Sequence, residues 1–416
     1  MLKAAEITLH PLCVIAGEND NGKSTVGKVI FCIIKAINRY KEDLQESKEN
    51  KIEELLDQLF FTLRRGIEDH KDVAHGELSS WFTLIMGKLP IDNKLTEIKT
   101  RLNTLRLNTQ SREELENQLE DIKKLAHAPE NARLSIERAF IKVFAAEFDS
   151  SILLDGSEEG SIQLYENELL LIDLKIEKGN KVHLLSEVAP IEIKDATFIE
   201  SPLILNNHDL LIRSRTPFEQ ERSRLGLPYT TLHTKDLFDK LREPSLAALL
   251  DTEPSEGLSK RLHSLINGEI VYDRSTRDFV FKRKNTSISI KNTASGIKTF
   301  GLLQILLANE MVNKNTILIF DEPENHLHPK WQLKLAKILV ELANHGVFIL
   351  VSSHSPYMIE ALERYAELQD MKKQSAFFLA EKRKIDDHNR LEDIFKLLSE
   401  PFEIFRQMDA EALRDE

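Results

Sequence analysis

The feature that most restricts this chain lies near its start. Gly17-Glu18-Asn19-Asp20-Asn21-Gly22-Lys23-Ser24 keeps the spacing G-x-x-x-x-G-K-S. Before it, Ala4–Ala16 reads as extended, ending in the short apolar run Val14-Ile15-Ala16. After it, Val26, Val29, Ile30, Ile33, Ile34 and Ile37 recur at helical spacing over Thr25–Tyr40. Strand, glycine-bracketed loop and helix is the order that a phosphate-binding loop requires. The glycines let the backbone turn its N–H groups inward, and the helix adds the positive end of its dipole. Lys23 is expected to reach the β- and γ-phosphates and Ser24 to ligate Mg²⁺, with Thr25 as a further phosphate contact. Gly17, Asn19, Asn21 and Gly22 complete the candidate loop.

A second motif stands far downstream. Thr316-Ile317-Leu318-Ile319-Phe320 is a dense apolar run closed by Asp321-Glu322, which predicts a strand buried on both faces. Carboxylates at the C-terminal end of such a strand lie where open α/β sheets bind ligands. Asp321 suits Mg²⁺ and Glu322 suits a general base toward water. Neighbours on a regular strand point to opposite faces, so the two carboxylates are given separate roles. Pro329–Asn344 then reads as a helix, and Val347–Val351 as a strand ending at Ser352-Ser353-His354-Ser355-Pro356. His354, with a near-neutral pKa type, can face the γ-phosphate or the attacking water.

Between the motifs the chain changes character several times. Residues 41–149 carry helical periodicity: Leu95, Ile98, Leu102 and Leu105 form a short seam, and Ser111 with Glu114 suggests a capping box. This predicts a helical insertion, either packed on the core or projecting as an arm. Residues 150–201 switch to a period near two, with turns at Gly156, Gly160 and Gly179-Asn180, as an antiparallel meander would. Asp195–Ser201 is a further strand. Residues 202–268 read as mixed and mostly helical, and Gly268–Ile290 as two or three strands around Asp273–Asp278. From 269 to 416 the alternation of helix and strand completes an α/β unit.

Taken together, Gly17–Thr25, Ser295-Gly296-Ile297-Lys298, Asp321-Glu322-Pro323-Glu324-Asn325-His326-Leu327-His328-Pro329 and Ser353-His354-Ser355-Pro356 resemble ABC-type ATPase heads. More closely they resemble the AAA-type, ABC-like ATPases of the overcoming-lysogenization-defect (OLD) class, kin to RecF and SMC heads. The resemblance implies an α/β P-loop head with a mixed core sheet, an antiparallel β-meander and a helical insertion. It implies ATP and Mg²⁺ as cofactors, and two protomers, or a larger oligomer, closing around nucleotide. Ser295, Gly296 and Lys298 of the signature segment would face the other protomer's phosphate loop, ahead of a helix expected at Thr299–Met311. Asn325 and His326 fall in the dimer-contact loop. A lid-loop glutamine belongs after an early strand, yet Asp195–Pro202 contains none. OLD nucleases carry a C-terminal Toprim domain, for which the chain after His354 leaves no room. The resemblance therefore implies an ATPase that works with a separate nuclease or toxin, as in anti-phage systems of the Septu and PARIS kind. The alternatives are a RecF/SMC-type head in DNA repair or chromosome maintenance, and an ATP-locked scaffold.

Composition narrows the partners. Lys plus Arg number 56 against 68 Asp plus Glu, a net charge of −12, which argues against coating nucleic acid over the whole surface. Local DNA contact stays open. Arg213, Arg215, Arg222 and Arg224 could serve it, or pair with Glu219 and Glu221 on the surface. Lys282-Arg283-Lys284 and Lys382-Arg383-Lys384 read as exposed strand and turn charges. His326, His328 and His354 are explained without a transition metal. Two cysteines, Cys13 and Cys32, make no disulfide framework, and no signal-peptide pattern or apolar span is present, so a cytoplasmic home is expected.

Overall fold

The computed structural model describes residues 2–68, 75–87, 89–105, 109–127, 132–149, 151–212, 214, 229–243, 256–284 and 286–412. Arg213, Arg215, Glu219, Glu221, Arg222 and Arg224 lie outside the described residues.

The chain opens with β1 (Ala4–Ala5), β2 (Leu12–Ala16) and the long helix α1 (Lys23–Glu68). Helices α2 (His75–Met86), α3 (Ile91–Leu102), α4 (Thr109–His127) and α5 (Ala132–Phe148) follow. Next come β3 (Glu159–Glu166), β4 (Leu169–Glu177), β5 (Lys181–Leu184) and β6 (Asp195–Ile199). Helices α6 (His208–Leu211), α7 (Leu232–Arg242) and α8 (Glu256–Ile266) lead to β7 (Glu269–Asp273), β8 (Asp278–Arg283) and β9 (Thr286–Ser289). The last part is α9 (Ser295–Ala308), β10 (Thr316–Asp321), α10 (Pro329–Asn344), β11 (Phe348–Ser353), α11 (Pro356–Leu368), β12 (Ser375–Glu381), β13 (Lys384–Ile385) and α12 (Leu391–Ala412).

These elements fall into two compact units. One comprises residues 1–38 and 137–416, the other residues 39–136. In the first, seven strands form one sheet in the order β1-β13-β12-β2-β11-β10-β6. All neighbours are parallel except the β12–β13 hairpin. The central parallel strands are buried, and every residue of β2 and β10 is shielded. That is the outcome when helices cover both faces. On one face Val14, Leu318, Phe320 and Val351 share a core with Phe300 of α9, Leu339 of α10 and Met358 of α11. On the other, α1 lies so close that a methyl group at Gly27 would sit 2.8 Å from Ile319 and 3.0 Å from Phe198. Two small antiparallel sheets, β3-β4-β5 and β7-β8-β9, complete the unit.

In the second unit, Leu59, Leu63, Trp81, Ile85, Leu95, Ile98, Leu102, Leu115 and Ile122 form a separate apolar core. The seam read from the sequence is its α3 face, with Leu105 packed against it. Two boundaries differ from expectation. Helix α1 does not stop near Tyr40 but continues to Glu68, because no proline interrupts it. Ser111 lies inside α4, which already begins at Thr109, so it does not open the helix. Among the described residues no helix is long and apolar enough to cross a membrane. Both cysteines are free and buried.

Candidate nucleotide site

Register places the site. Ala16 of β2 pairs with Ser353 of β11, Asp321 of β10 with Ser352, and Phe320 with Ile199 of β6. The C-terminal ends of four parallel strands therefore lie side by side, the position at which open sheets bind ligands.

The loop after β2 turns sharply. Gly17 has φ +148°, and a Cβ there would fall 2.3 Å from the Ala380 carbonyl oxygen, so only glycine fits beside β12. Asp20 and Gly22 also have positive φ, 62° and 87°. Helix α1 begins at Lys23. The Lys23 ammonium folds back across the loop and donates to the carbonyls of Gly17 (2.8 Å) and Glu18 (2.9 Å). It lies 3.9 Å from Glu322 Oε1. Burial pushes its pKa down, against the pull of Glu322, Asp321, Glu324 and Glu18. Ser24 Oγ donates to Asp321 Oδ1 at 2.9 Å, and Ser352 Oγ donates to the same oxygen. Burial holds the Asp321 pKa above its usual range, the two hydroxyls counteract this, and the charges of Glu322 and Glu200 add to the rise.

The two neighbouring carboxylates do not diverge as a regular strand would require. Strand β10 ends at Asp321, and Glu322 takes the left-handed conformation (φ 48°) with its N–H donating to Ser352 O at 2.9 Å. That break lets Asp321 meet Ser24 while Glu322 meets Lys23. Glu322 is then framed on both oxygens. Oε1 lies 3.2 Å from His354 Nδ1, and Oε2 accepts from Asn325 Nδ2 at 3.2 Å. Thus Lys23, Ser24, Asp321, Glu322 and His354 are brought together.

The remaining expected residues sit as follows. Asn19 is exposed on the loop. Asn21 turns its Oδ1 to the backbone N–H of Arg383 (3.1 Å). Thr25 lines a cavity of about 650 Å³ between α1 and the meander, beside Val29, Ile33, Leu154 and Ile162. Ser295 opens α9, four residues before the expected helix start, and its Oγ donates to His326 O at 2.8 Å. Gly296 packs under Trp331, whose ring a Cβ would meet at 2.8 Å. Lys298 is buried on α9, and that burial lowers its pKa. His328 caps α10, its Nδ1 accepting from Lys330 N. Among the described residues no group of His, Cys, Asp or Glu is arranged to hold a metal by itself.

Two groups escaped the sequence reading. Glu324 is buried, and its Oε1 accepts from Ser353 Oγ (2.7 Å), His354 N (2.9 Å) and Ser355 N (3.1 Å). It fixes the turn that presents His354. Its only sequence signal was its place within the acidic phrase after Asp321. The other is Glu200, directly after β6, where the expected glutamine is missing. Its Oε2 lies 3.2 Å from Nε2 of buried His233, whose Nδ1 is 2.7 Å from Glu147 Oε1. Burial lowers the His233 pKa, but the two carboxylates outweigh it and raise the net value.

A phosphate loop after one central parallel strand, a carboxylate pair after another and a histidine after the strand between them define an α/β P-loop ATPase fold, as the sequence led us to expect. Residues 232–359 match a family profile described as an AAA ATPase domain. The matched segment includes α9, Asp321, Glu322 and His354. No curated protein matches it. Similar solved structures include the SMC head domain from Thermotoga maritima, with 10% identity over 57% of this chain and 78% of that one, at a TM-score of 0.30. An SMC head bound to the C-winged helix domain of ScpA has 10% identity, coverages of 91% and 90%, and a TM-score of 0.36. The ATP-binding cassette of an ABC transporter in its ADP conformation has 12% identity, coverages of 58% and 94%, and a TM-score of 0.26. At these scores the functional reading rests on the site's own geometry.

Two outcomes follow from this geometry. Glu324→Ala strands three donors around a buried hole and should cost about 2–4 kcal/mol in urea unfolding. Asp321→Asn keeps an acceptor for both serines but removes a carboxylate whose ionisation burial opposes. It should stabilise the nucleotide-free protein at neutral pH. The gain should shrink as pH falls through the folded pKa of Asp321, and vanish below the ordinary aspartate range, where the native side chain is neutral in both states. Thermal melts across that pH window check it.

Proposed function

We propose that this chain binds ATP with Mg²⁺ at the loop Gly17–Thr25 and hydrolyses it. The observation that carries the proposal is the direct hydrogen bond between Ser24 and Asp321, which joins residues 297 positions apart at the mouth of the loop. The donor set fits the ligands. Ser24 and Asp321 offer hard oxygens side by side, as Mg²⁺ prefers, while Lys23 and the start of α1 offer positive charge to phosphate. Bound Mg²⁺ would neutralise phosphate charge. The chain's own residues do the rest. Lys23 exchanges its two carbonyl partners for phosphate oxygens. Glu322 takes a proton from the attacking water, with Asn325 fixing one carboxylate oxygen and His354 standing at the other. Glu324 keeps His354 in that place.

On this reading Ser295, Gly296 and Lys298 serve the nucleotide of a second copy, so that ATP closes two heads and hydrolysis reopens them. A serine hydroxyl and a helix N-terminus suit a γ-phosphate. The effector controlled by this cycle would be a separate protein, a nuclease or toxin in defence. The net charge of −12 favours a protein partner over broad contact with DNA.

The test is Glu322→Gln. It should retain ATP binding, lower kcat by about 100-fold or more, and accumulate a dimer in ATP on size-exclusion chromatography with light scattering. Lys23→Ala should abolish binding. Full turnover by the Glu322→Gln protein would remove Glu322 from its role, and ATP binding undiminished in Lys23→Ala would remove the loop from its own.

A further inference from the structure

The phosphate loop carries a charge of the wrong sign. Asp20 lies within the segment that is to receive a polyanion, and its φ of 62° places it in the left-handed region, which Asp, like Asn, adopts more readily than most side chains. Its charge is met from 363 positions away: Arg383 Nη2 donates to Asp20 Oδ2 at 2.5 Å. The same residue's backbone N–H donates to Asn21 Oδ1 at 3.1 Å, so one residue holds two successive positions of the loop.

Arg383 is well placed to do so. It stands at the tip of the β12–β13 hairpin, whose closing pair is Glu381 and Lys384. The two-residue tip, Lys382-Arg383, has φ values of 53° and 64°, the arrangement of a type I′ turn. Neither residue is one that favours this conformation, so the tip keeps an unfavourable backbone to present its side chain. The tip is anchored from both sides. Lys3 N donates to Arg383 O at 2.8 Å, and Leu379 of β12 pairs with Ala16 just before the loop. The side chains of Arg383 and Asp20 are 39% and 71% exposed. A pair this open adds little to folding. Its effect belongs to what binds beside it.

We propose that Arg383 is a positioning residue for the phosphate loop: it cancels the charge of Asp20 and fixes the bend at Asp20-Asn21, so that the loop accepts a triphosphate. The inference rests on the ATP-binding reading above and adds a residue to it. Lys382-Arg383-Lys384 are the turn and strand charges expected from the sequence, and the proposal gives Arg383 a role beyond that.

The test uses the full chain and a fluorescent ATP analogue, titrated at low ionic strength without divalent cation. Arg383→Ala should weaken binding about fivefold to tenfold, because Asp20 then keeps its charge in the loop without the guanidinium beside it. The difference should shrink in high salt. Arg383→Lys should stay near wild type. Asp20→Asn alone should bind at least as tightly as wild type, and Arg383→Ala with Asp20→Asn should recover to within about twofold. A hairpin acting only as a structural staple would not be rescued in that way. The proposal is overturned if the double variant stays as weak as Arg383→Ala, if Arg383→Ala binds like wild type, or if Asp20→Asn weakens binding. Failure of wild type itself to bind the analogue, with Mg²⁺ present as well as without it, would instead remove the ATP reading, and this proposal with it.

Discussion

Two contacts at one point of the sheet govern the rest: Ser24 on Asp321, and Lys23 beside Glu322. Neither pair could meet without the parallel register that aligns the ends of β2, β11 and β10. That register in turn needs strands apolar on both faces and helices to cover them. The site is thus a consequence of the core. Its polar atoms are the ones left where the buried strands stop and the backbone turns away.

Such a meeting is expensive without a ligand. Lys23, Asp321 and Glu324 are all largely removed from water, and Glu322 is only a quarter exposed. Beside the Lys23–Glu322 ion pair, the molecule manages this by hydrogen bonds with serine hydroxyls and backbone groups. Lys23 donates to two carbonyls, Asp321 accepts from two hydroxyls, and Glu324 from a hydroxyl and two N–H groups. Dipoles of this kind hold charge in place while leaving net electrostatic demand unmet. A phosphate chain with a divalent cation would meet that demand, which is why an arrangement costly to the empty protein makes sense as a binding site.

Much of this was legible in the residues because the signals were periodic. The run Thr316–Phe320 has no polar break, and the helix over Pro329–Asn344 was bounded by a proline at its start, as found. In the meander the turn at Gly179-Asn180 was legible, whereas Gly160 lies inside β3 and the β3–β4 turn falls at Asn167-Glu168. What stayed hidden depends on contacts between distant positions. The left-handed turn at Glu322 is set by its bond to Ser352, and no local rule predicts it. Glu324 looks like one more acid in an acidic phrase until Ser353, His354 and Ser355 are seen around it. Arg383 was indistinguishable from Lys382, its exposed neighbour, until the hairpin brought it to Asp20. The length of α1 is hidden for another reason: composition changes after Tyr40 while the helical backbone continues to Glu68.

That long helix also explains how the site is held to the sheet's edge. Its first residue is Lys23, and three turns later Lys35 donates to Asp195 of β6 (2.5 Å) and Asp236 of α7 (2.6 Å). Lys240 reaches the same two carboxylates and the hydroxyl of Thr197. Burial alone would depress the Lys35 ammonium, but Asp236 and Asp195 overcome it and raise its pKa. Lys240, buried and facing Lys35, is pushed down. Four charges, one buried and three half-buried, are a poor source of stability compared with apolar packing, yet removing any one would leave the others uncompensated. Their value is geometric. They fix α1, β6 and α7 in one relation, and just past the far end of β6 stands Glu200, near Asp321 and in contact with His233. The helix that begins at the phosphate loop and the strand that borders the carboxylates are thus tied by the same four side chains.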